Sequence, residues 1–245
     1  MEAERVTEVR VSAYTVPTDF PESDGTLEWN ATTVVLVEIW SGTTRGLGFT
    51  YGDLSTAGIV DHVLSPLVLG HDPMAISSAW LKQLRRVRNF TRPGIASLAI
   101  AAVDSALWDL KARLLDMPLV SLLGRVRDTI PVYGSGGFTS YSTEQVQAQF
   151  REWAAIGIKK MKMKVGRDPD QDVSRVKAAR EAIGPELELF VDANGAYTRK
   201  QALEFAERFA AFRVRWFEEP VSSDDLAWIH FPFRIPNGLE LTERL

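Results

Sequence analysis

In KKMKMKV (159–165) lysine alternates with apolar residues, so Lys160, Lys162 and Lys164 share one face and Met161, Met163 and Val165 the other. A helical pattern follows at 168–183, then the strand-like LELFVDA (187–193), a second helical pattern at 198–212, and the strand-like VRWFEEP (214–220). Upstream, PVYGSGG (131–137) and a helical stretch at 143–156 begin the same series. Strands alternating with helices in this way call for a parallel sheet joined by right-handed crossovers. The methionine face packs on the helices. The lysine face then points to the other side of the sheet, or into a barrel interior, where ammonium groups need anionic partners because an unpaired buried charge is costly.

The strand ends supply those partners. Asp192 closes one strand and Glu218 the next, and with Lys164 they follow one another at intervals of 28 and 26 residues, level on successive strands. The C-terminal rim of an α/β barrel is where active sites sit. Two carboxylates at one rim repel unless a cation or proton lies between them. An all-oxygen donor pair suits a hard divalent ion such as Mg²⁺. A lysine beside a second lysine and a metal is expected to have a lowered pKa and to serve as a general base. Taken singly, Lys-x-Lys is an ordinary solvated strand edge, Asp192-Ala-Asn194-Gly195 an ordinary turn and Glu218-Glu219-Pro220 an ordinary loop. Their recurrence at equivalent strand ends is what points to chemistry.

The first 125 residues read differently. Residues 5–16, with Val9, Val11 and Ala13 on one face, then TTVVLVEIW (32–40) and GLGFTYG (46–52), suggest an antiparallel meander. Between them PTDFPESDGTLEWNA (17–31) reads as a long loop of the kind that forms lids. Helical patterns follow at 56–69, 75–89 and 94–115, with Gly70 and Gly124 as stops. The expected architecture is an α+β capping domain over 1–125, a partial (β/α) TIM-type barrel with about four strands over 126–227, and an atypical tail at 228–245.

Composition narrows the chemistry. The 245 residues include no cysteine, which excludes a disulfide scaffold, a thiolate zinc site and a cysteine nucleophile. A net charge of −4 argues against nucleic acid as the main partner. The apolar run Ile95–Val103 is short and alanine-rich for a bilayer span, and MEAERVTEVR lacks the apolar core of a signal peptide, so the expected setting is the cytoplasm without a membrane partner. No glycine-rich P-loop or dinucleotide fingerprint is present.

Four stretches taken together carry a resemblance: SLAIAAVDSALWDLKARLLDMPLVSLLG (97–124), Lys162-x-Lys164 within KKMKMKVG, VDANGAY (191–197) and WFEEPV (216–221). The chain resembles the enolase superfamily, in its mandelate racemase and muconate lactonizing enzyme branch, over about residues 5–227. The resemblance implies a capping domain ahead of a (β/α)₇β barrel. It also implies a divalent metal, usually Mg²⁺, on the substrate carboxylate, and a base that removes the α-proton to give a metal-stabilised enediolate. It assigns Asp192 and Glu218 as metal ligands, Lys164 as the acid/base and Lys162 as its electrostatic support and the group that polarises the carboxylate. Asn194 would orient the site. The 17–31 segment would close over substrate, with Phe20, Glu28 and Trp29 as contacts, and Tyr133 and Ser135 would line the pocket. Trp108 is expected in the core. The substrate would be a small-molecule carboxylate, a hydroxy acid or sugar acid, and the full-length parent a homo-oligomer. Racemase, cycloisomerase and dehydratase outcomes all fit the pattern. An acid-sugar dehydratase is preferred because Lys-x-Lys with a polar capping loop suits a hydroxylated acid.

The chain also departs from that pattern. A barrel of this kind needs about 250 residues, and fewer than half that number follow residue 130. The third metal carboxylate and the opposing acid/base belong to later strands. Pro232 and Pro236 would break the helix expected after DDLA (224–227). Glu240 and Glu243 stand near the spacing of a next rim position but, without that helix, read as coincidence. The change of pattern suggests a frameshift or early stop after about residue 227, with weakened Mg²⁺ affinity and little turnover. The competing expectation is a non-catalytic truncated fragment that retains only folding or oligomerisation surfaces.

Overall fold

The computed structural model describes residues 5–90, 92–225 and 240–242, the last three as backbone. These residues form two compact units, one running to Thr18 and from Ala31 to Asp128, the other comprising Asp19–Asn30 and the chain from Thr129.

Strands β1 (Glu8–Ser23), β2 (Glu28–Ser41) and β3 (Thr44–Tyr51) form one sheet in that order. β2 and β3 pair antiparallel from Val34↔Tyr51 to Ser41↔Thr44. The segment expected as a loop at 17–31 is instead mostly strand, and only the turn between Ser23 and Glu28 interrupts it. Pro17 and Pro21 suggested a loop, but both lie on β1, an outer strand of the sheet, the place in a sheet where proline is tolerated. Asp24 closes the turn. Its Oδ1 accepts from the backbone N–H of Thr26 at 2.7 Å and of Leu27 at 2.8 Å.

The helices of the first unit are α1 (Leu54–Ile59), α2 (Ser65–Val68), α3 (Ile76–Arg86), α4 (Ser97–Leu114) and α5 (Leu119–Leu122), with a π turn at Val60–Leu64 between the first two. Helix α4 lies directly on β3. A Cβ on Gly46 would stand 2.3 Å from the Ala106 carbonyl oxygen, and one on Gly48 would stand 2.0 Å from that of Ala102. Both glycines are thus set by the approach of two backbones. Val37, Ile39, Leu64, Ile100, Val103, Leu107 and Leu110 build the core, with Val9, Val11 and Trp108 packed on it. Arg92–Leu114 is long and apolar enough to cross a membrane by length and composition. Here its Ala99, Ala102, Ala106 and Leu110 are buried within the unit.

Asp104 on α4 is a half-buried carboxylate in the apolar N-terminal part of the helix. Burial pushes its carboxyl above the ordinary range, against a hydrogen bond from Trp108 that lowers it. A carboxyl whose folded pKa is raised loses stability as pH climbs from its unfolded value through its folded value. Asp104→Asn is therefore expected to raise the melting temperature at pH 7 by about 1–3 °C. The gain should vanish near pH 3, where both states are protonated. Melting curves at the two pH values check this; an equal gain at both would refute it.

In the second unit β4 (Gly134–Gly136), β5 (Lys160–Lys164), β6 (Glu188–Asp192) and β7 (Val214–Glu218) alternate with α6 (Thr143–Ala155), α7 (Pro169–Ile183) and α8 (Arg199–Ala210). Capping boxes start α6 at Ser142 with Gln145 and α8 at Thr198 with Gln201. Every strand pair is parallel, in the order β4-β5-β6-β7-β8. Met161, Met163, Leu189, Val191 and Phe217 face Phe150, Val176 and Phe209 of the helices in one core. To the four strands expected from the sequence the structure adds a short fifth: β8 (Glu240–Thr242) pairs with β7 and sets Thr242 beside Glu218. The prolines at 232 and 236 masked this strand, although Leu239 and Leu241 alternate with Glu240 and Thr242 at strand period. The rest of the tail, with His230 and Glu243, lies outside the described residues.

Candidate active site

The parallel register aligns Lys164 with Asp192 and Asp192 with Glu218, the level that the sequence spacing implied. All three close their strands. Lys162, one side chain earlier on the same face as Lys164, is 3% exposed, Asp192 2% and Glu218 4%. The Lys162 ammonium donates to Glu218 Oε2 at 2.6 Å and to Asp192 Oδ2 at 3.0 Å. Lys164 donates to the same Asp192 oxygen at 2.7 Å and to Asn194 Oδ1 at 2.9 Å. Asn194 takes a left-handed backbone with φ 48°. Its N–H donates to Asp192 Oδ1 at 3.0 Å and its Nδ2 to Glu219 Oε2 at 3.1 Å. Asn194 thus locks both Asp192 and Lys164 in place.

The electrostatics follow from these contacts. Burial alone would raise the Asp192 carboxyl, but the neighbouring Lys164 and Lys162 ammonium groups outweigh it and hold the carboxyl below the ordinary range. Burial alone would lower Lys162, but Glu218 and Asp192 outweigh it and hold the ammonium above its ordinary value. Lys162 is thus held as a fixed cation between its two carboxylate neighbours. Asp192 and Glu218 present hard oxygens to a point that takes up positive charge, a donor pair that fits a divalent cation with water or substrate oxygens completing its shell. Among the described residues no group of three or more His, Asp or Glu side chains gathers to hold a metal.

The hairpin tip packs at the same rim. A Cβ on Gly25 would stand 2.3 Å from the Ala193 carbonyl oxygen and 2.8 Å from that of Val165, the residues that follow β6 and β5. The sequence reading missed Gly25, and the signal was the Asp24-Gly25 turn pair. Thr139 secures the tip by donating to the Asp24 carbonyl at 2.9 Å and by a 2.6 Å hydroxyl contact with Ser23. Of the three contacts expected from this segment, Glu28 pairs with Arg167 at 2.7 Å. The Trp29 indole donates to Glu22 at 2.8 Å and its ring meets Phe138 edge-on. Phe20 is 55% exposed and meets Tyr141 edge-on.

Two cavities bracket the lysine–carboxylate cluster. A rim pocket of about 190 Å³ is lined by Thr26, Asn194, Gly195, Glu219, Val221 and the two serines after it. A larger one, about 760 Å³, opens at the N-terminal ends of the strands between Tyr133, Lys160, Glu188, Phe190, Arg215 and Trp216. Tyr133 lines the larger cavity, with its ring centroid 5.4 Å from the Lys162 ammonium. Ser135 is exposed on β4 in register with Lys162. Asn194 and Glu219, which line the smaller pocket, follow the strand ends that carry Asp192 and Glu218, whereas the larger cavity is lined by residues at the starts of the strands.

Residues 6–124 match the mandelate racemase/muconate lactonizing enzyme N-terminal domain, and 145–236 match the enolase C-terminal domain-like family. A mandelate racemase/muconate lactonizing enzyme-like protein from Rubrobacter xylanophilus superposes with a TM-score of 0.95 at 51% identity, over 98% of this chain and 67% of that one. The chain belongs to the mandelate racemase/muconate lactonizing enzyme branch of the enolase superfamily. Among its enzyme relatives in this branch, the 3,6-anhydro-alpha-L-galactonate cycloisomerase of Streptomyces coelicolor is 37% identical over 89% of the chain. The L-talarate/galactarate dehydratase of Salmonella typhimurium LT2, solved with Mg and L-lyxarohydroxamate, superposes with a TM-score of 0.85 at 30% identity, over 93% of this chain and 61% of that one. The chain spans 62% of the length of the Streptomyces cycloisomerase.

Proposed function

We propose that this chain carries one half of a site for abstracting the proton α to a carboxylate, on a polyhydroxylated acid and with Mg²⁺ as the metal, of acid-sugar dehydratase type. The observation that carries it is the register-aligned set of Lys164, Asp192 and Glu218 with Lys162 buried behind them. Solved relatives with bound magnesium support the metal, and relatives named as sugar-acid dehydratases and cycloisomerases support the substrate class. Mg²⁺, when bound, supplies positive charge against the anion that builds on the substrate carboxylate. Asp192 and Glu218 would hold it. Lys164, after giving up one of its protons to solvent, takes the α-proton on Nζ as the free amine, and Asn194 Oδ1 keeps that nitrogen aimed at the rim. Lys162 adds a fixed positive charge beneath the carboxylate. Glu219 and the serines of the rim pocket would meet the hydroxyls of a sugar acid. Phe20, Glu28 and Trp29 belong to this reading as the outer wall supplied by the hairpin.

The test is α-proton exchange in D₂O with Mg²⁺ across a panel of aldonic and aldaric acids, followed by NMR. Lys164→Ala is expected to reduce exchange about 10²–10⁴-fold. Mg²⁺ affinity measured by calorimetry should not weaken, since a competing ammonium leaves Asp192. Exchange that survives the substitution would remove Lys164 from the role. No exchange and no Mg²⁺ uptake by the unaltered chain would favour the non-catalytic fragment.

A further inference from the structure

Helix α7 carries a buried ion pair that the proposed chemistry does not use. Asp172 is 1% exposed and Arg175 9%. Their nearest charged atoms stand 4.0 Å apart, so the pair's main bonds lie elsewhere. Arg175 donates from Nη1 to the Lys164 carbonyl at 3.1 Å and from Nη2 to the Phe138 carbonyl at 2.8 Å, with a longer contact to that of Gly137 at 3.4 Å. The Gly137 carbonyl also accepts the Lys164 N–H at 3.1 Å. Asp172 Oδ2 accepts the Gly166 N–H at 2.8 Å and the Tyr197 hydroxyl. Tyr197 in turn donates its N–H to the Pro220 carbonyl at 3.2 Å. One pair of side chains therefore reaches the ends of β4 and β5 and the segment that leaves β6, and the Tyr197 backbone carries the connection on to the segment after β7.

A buried ion pair is a poor device for stability, because apolar residues of equal volume often serve as well or better. Burial here pushes the Asp172 carboxyl up and the Arg175 guanidinium down, the mark of that cost. What an apolar pair cannot do is bind carbonyls where the strands end and ladder bonds run out. Arg175 forks across two strand ends at once, a geometry its planar five-donor head supports.

We infer that Arg175, braced by Asp172 and Tyr197, is a positioning residue for Lys164: it fixes the backbone on both sides of the rim so that the Lys164 ammonium stays on its axis. This rests on the reading of Lys164 as the base, and the experiment separates the two. The variant is D172N/R175M, which removes both charges while the carboxamide oxygen put in place of the Asp172 carboxylate still accepts from Gly166 and Tyr197. Amide hydrogen exchange at 137–139 and 164–167 is read alongside the melting temperature, and kcat and KM for α-proton exchange are measured in the same preparations. The expected result is at least tenfold faster exchange at these two segments alone and a kcat loss of about 10–100-fold at unchanged KM. R175K should recover part of both. Unchanged local protection, or losses spread evenly with a fall in global stability, overturns the inference. If the unaltered chain shows no turnover, the kcat and KM arm falls with the proposed activity of this chain, while the local exchange arm still decides whether Arg175 holds the backbone at Lys164.

Discussion

Lys162→Met is expected to destabilise the second unit by about 3–5 kcal/mol, the cost of removing one partner from a buried charge cluster. Lys162 lies between two carboxylates that are almost wholly buried, 2.6 Å from Glu218 and 3.0 Å from Asp192. Methionine fills the space but brings no charge, so the ammonium between the two carboxylates is lost while Lys164 stays on Asp192. Millimolar Mg²⁺ should then recover part of the loss, because a ligand that binds only the folded state stabilises it by mass action. The unaltered protein should gain less from the same ion, since its ammonium competes for the same oxygens. The triple change K162M/D192N/E218Q should melt above K162M and lose the response to Mg²⁺. Melting curves with and without the ion read all three. A K162M chain as stable as its parent, or one indifferent to Mg²⁺, would sink the account of the site as a cation-holding centre.

Gly25→Ala is the second large effect. The added carbon would meet two carbonyl oxygens and the Ala196 methyl at 2.7 Å, none of them the free end of a flexible side chain. Overpacking of this kind costs about 1–3 kcal/mol, and here the strain is relieved by lifting the hairpin tip. The expected outcome is faster proteolysis and amide exchange over 19–30, with the first unit unchanged. Proton exchange on substrate, if present, should fall at least tenfold through KM, since the tip forms part of the rim pocket at Thr26. Gly42, whose Cβ would meet nothing within 4 Å but whose φ is 58°, serves as the comparison. Its alanine variant suffers backbone strain alone and should leave 19–30 protected. Equal protection of the tip in the G25A variant and the parent would show that the close approach is not what seats it.

The order of strands and the central cluster were legible because parallel strands repeat a level. Lys164, Asp192 and Glu218 recur at a spacing that only a βα repeat explains, and Met161 and Met163 alternate with the lysines at strand period. The long hairpin was not legible, since Pro17, Pro21 and the Asp24-Gly25 pair together read as one loop by composition, whereas only 24–27 is turn and the prolines extend β1 where it pairs with β2. Strand β8 was hidden by the prolines ahead of it. Arg175 went unnoticed because a lone arginine in a charged helix reads as solvent-facing. Its position three residues after Asp172, on the face of Val176, Ala179 and Ile183, was the available signal. The direct contact of Lys162 with Glu218 was out of reach as well, because spacing along a strand does not reveal how close side chains on neighbouring strands come.

The glycines of the second unit divide its two ends by how much room surrounds each, although Gly157 and Gly184 must themselves stay glycine because their φ values are 94° and 72°. At the rim, Gly25, Gly137, Gly166 and Gly195 each have protein atoms within 3.1 Å of where a Cβ would sit. At the opposite end Gly157 and Gly184, which follow α6 and α7, face open space. Peptide tags, reporter loops or tethers can therefore be spliced in beside Gly157 or Gly184 with the strand register upstream and downstream preserved. The same additions at the rim would have nowhere to go. For anyone attaching this unit to a surface or a second protein, the handle belongs at the end away from Lys164.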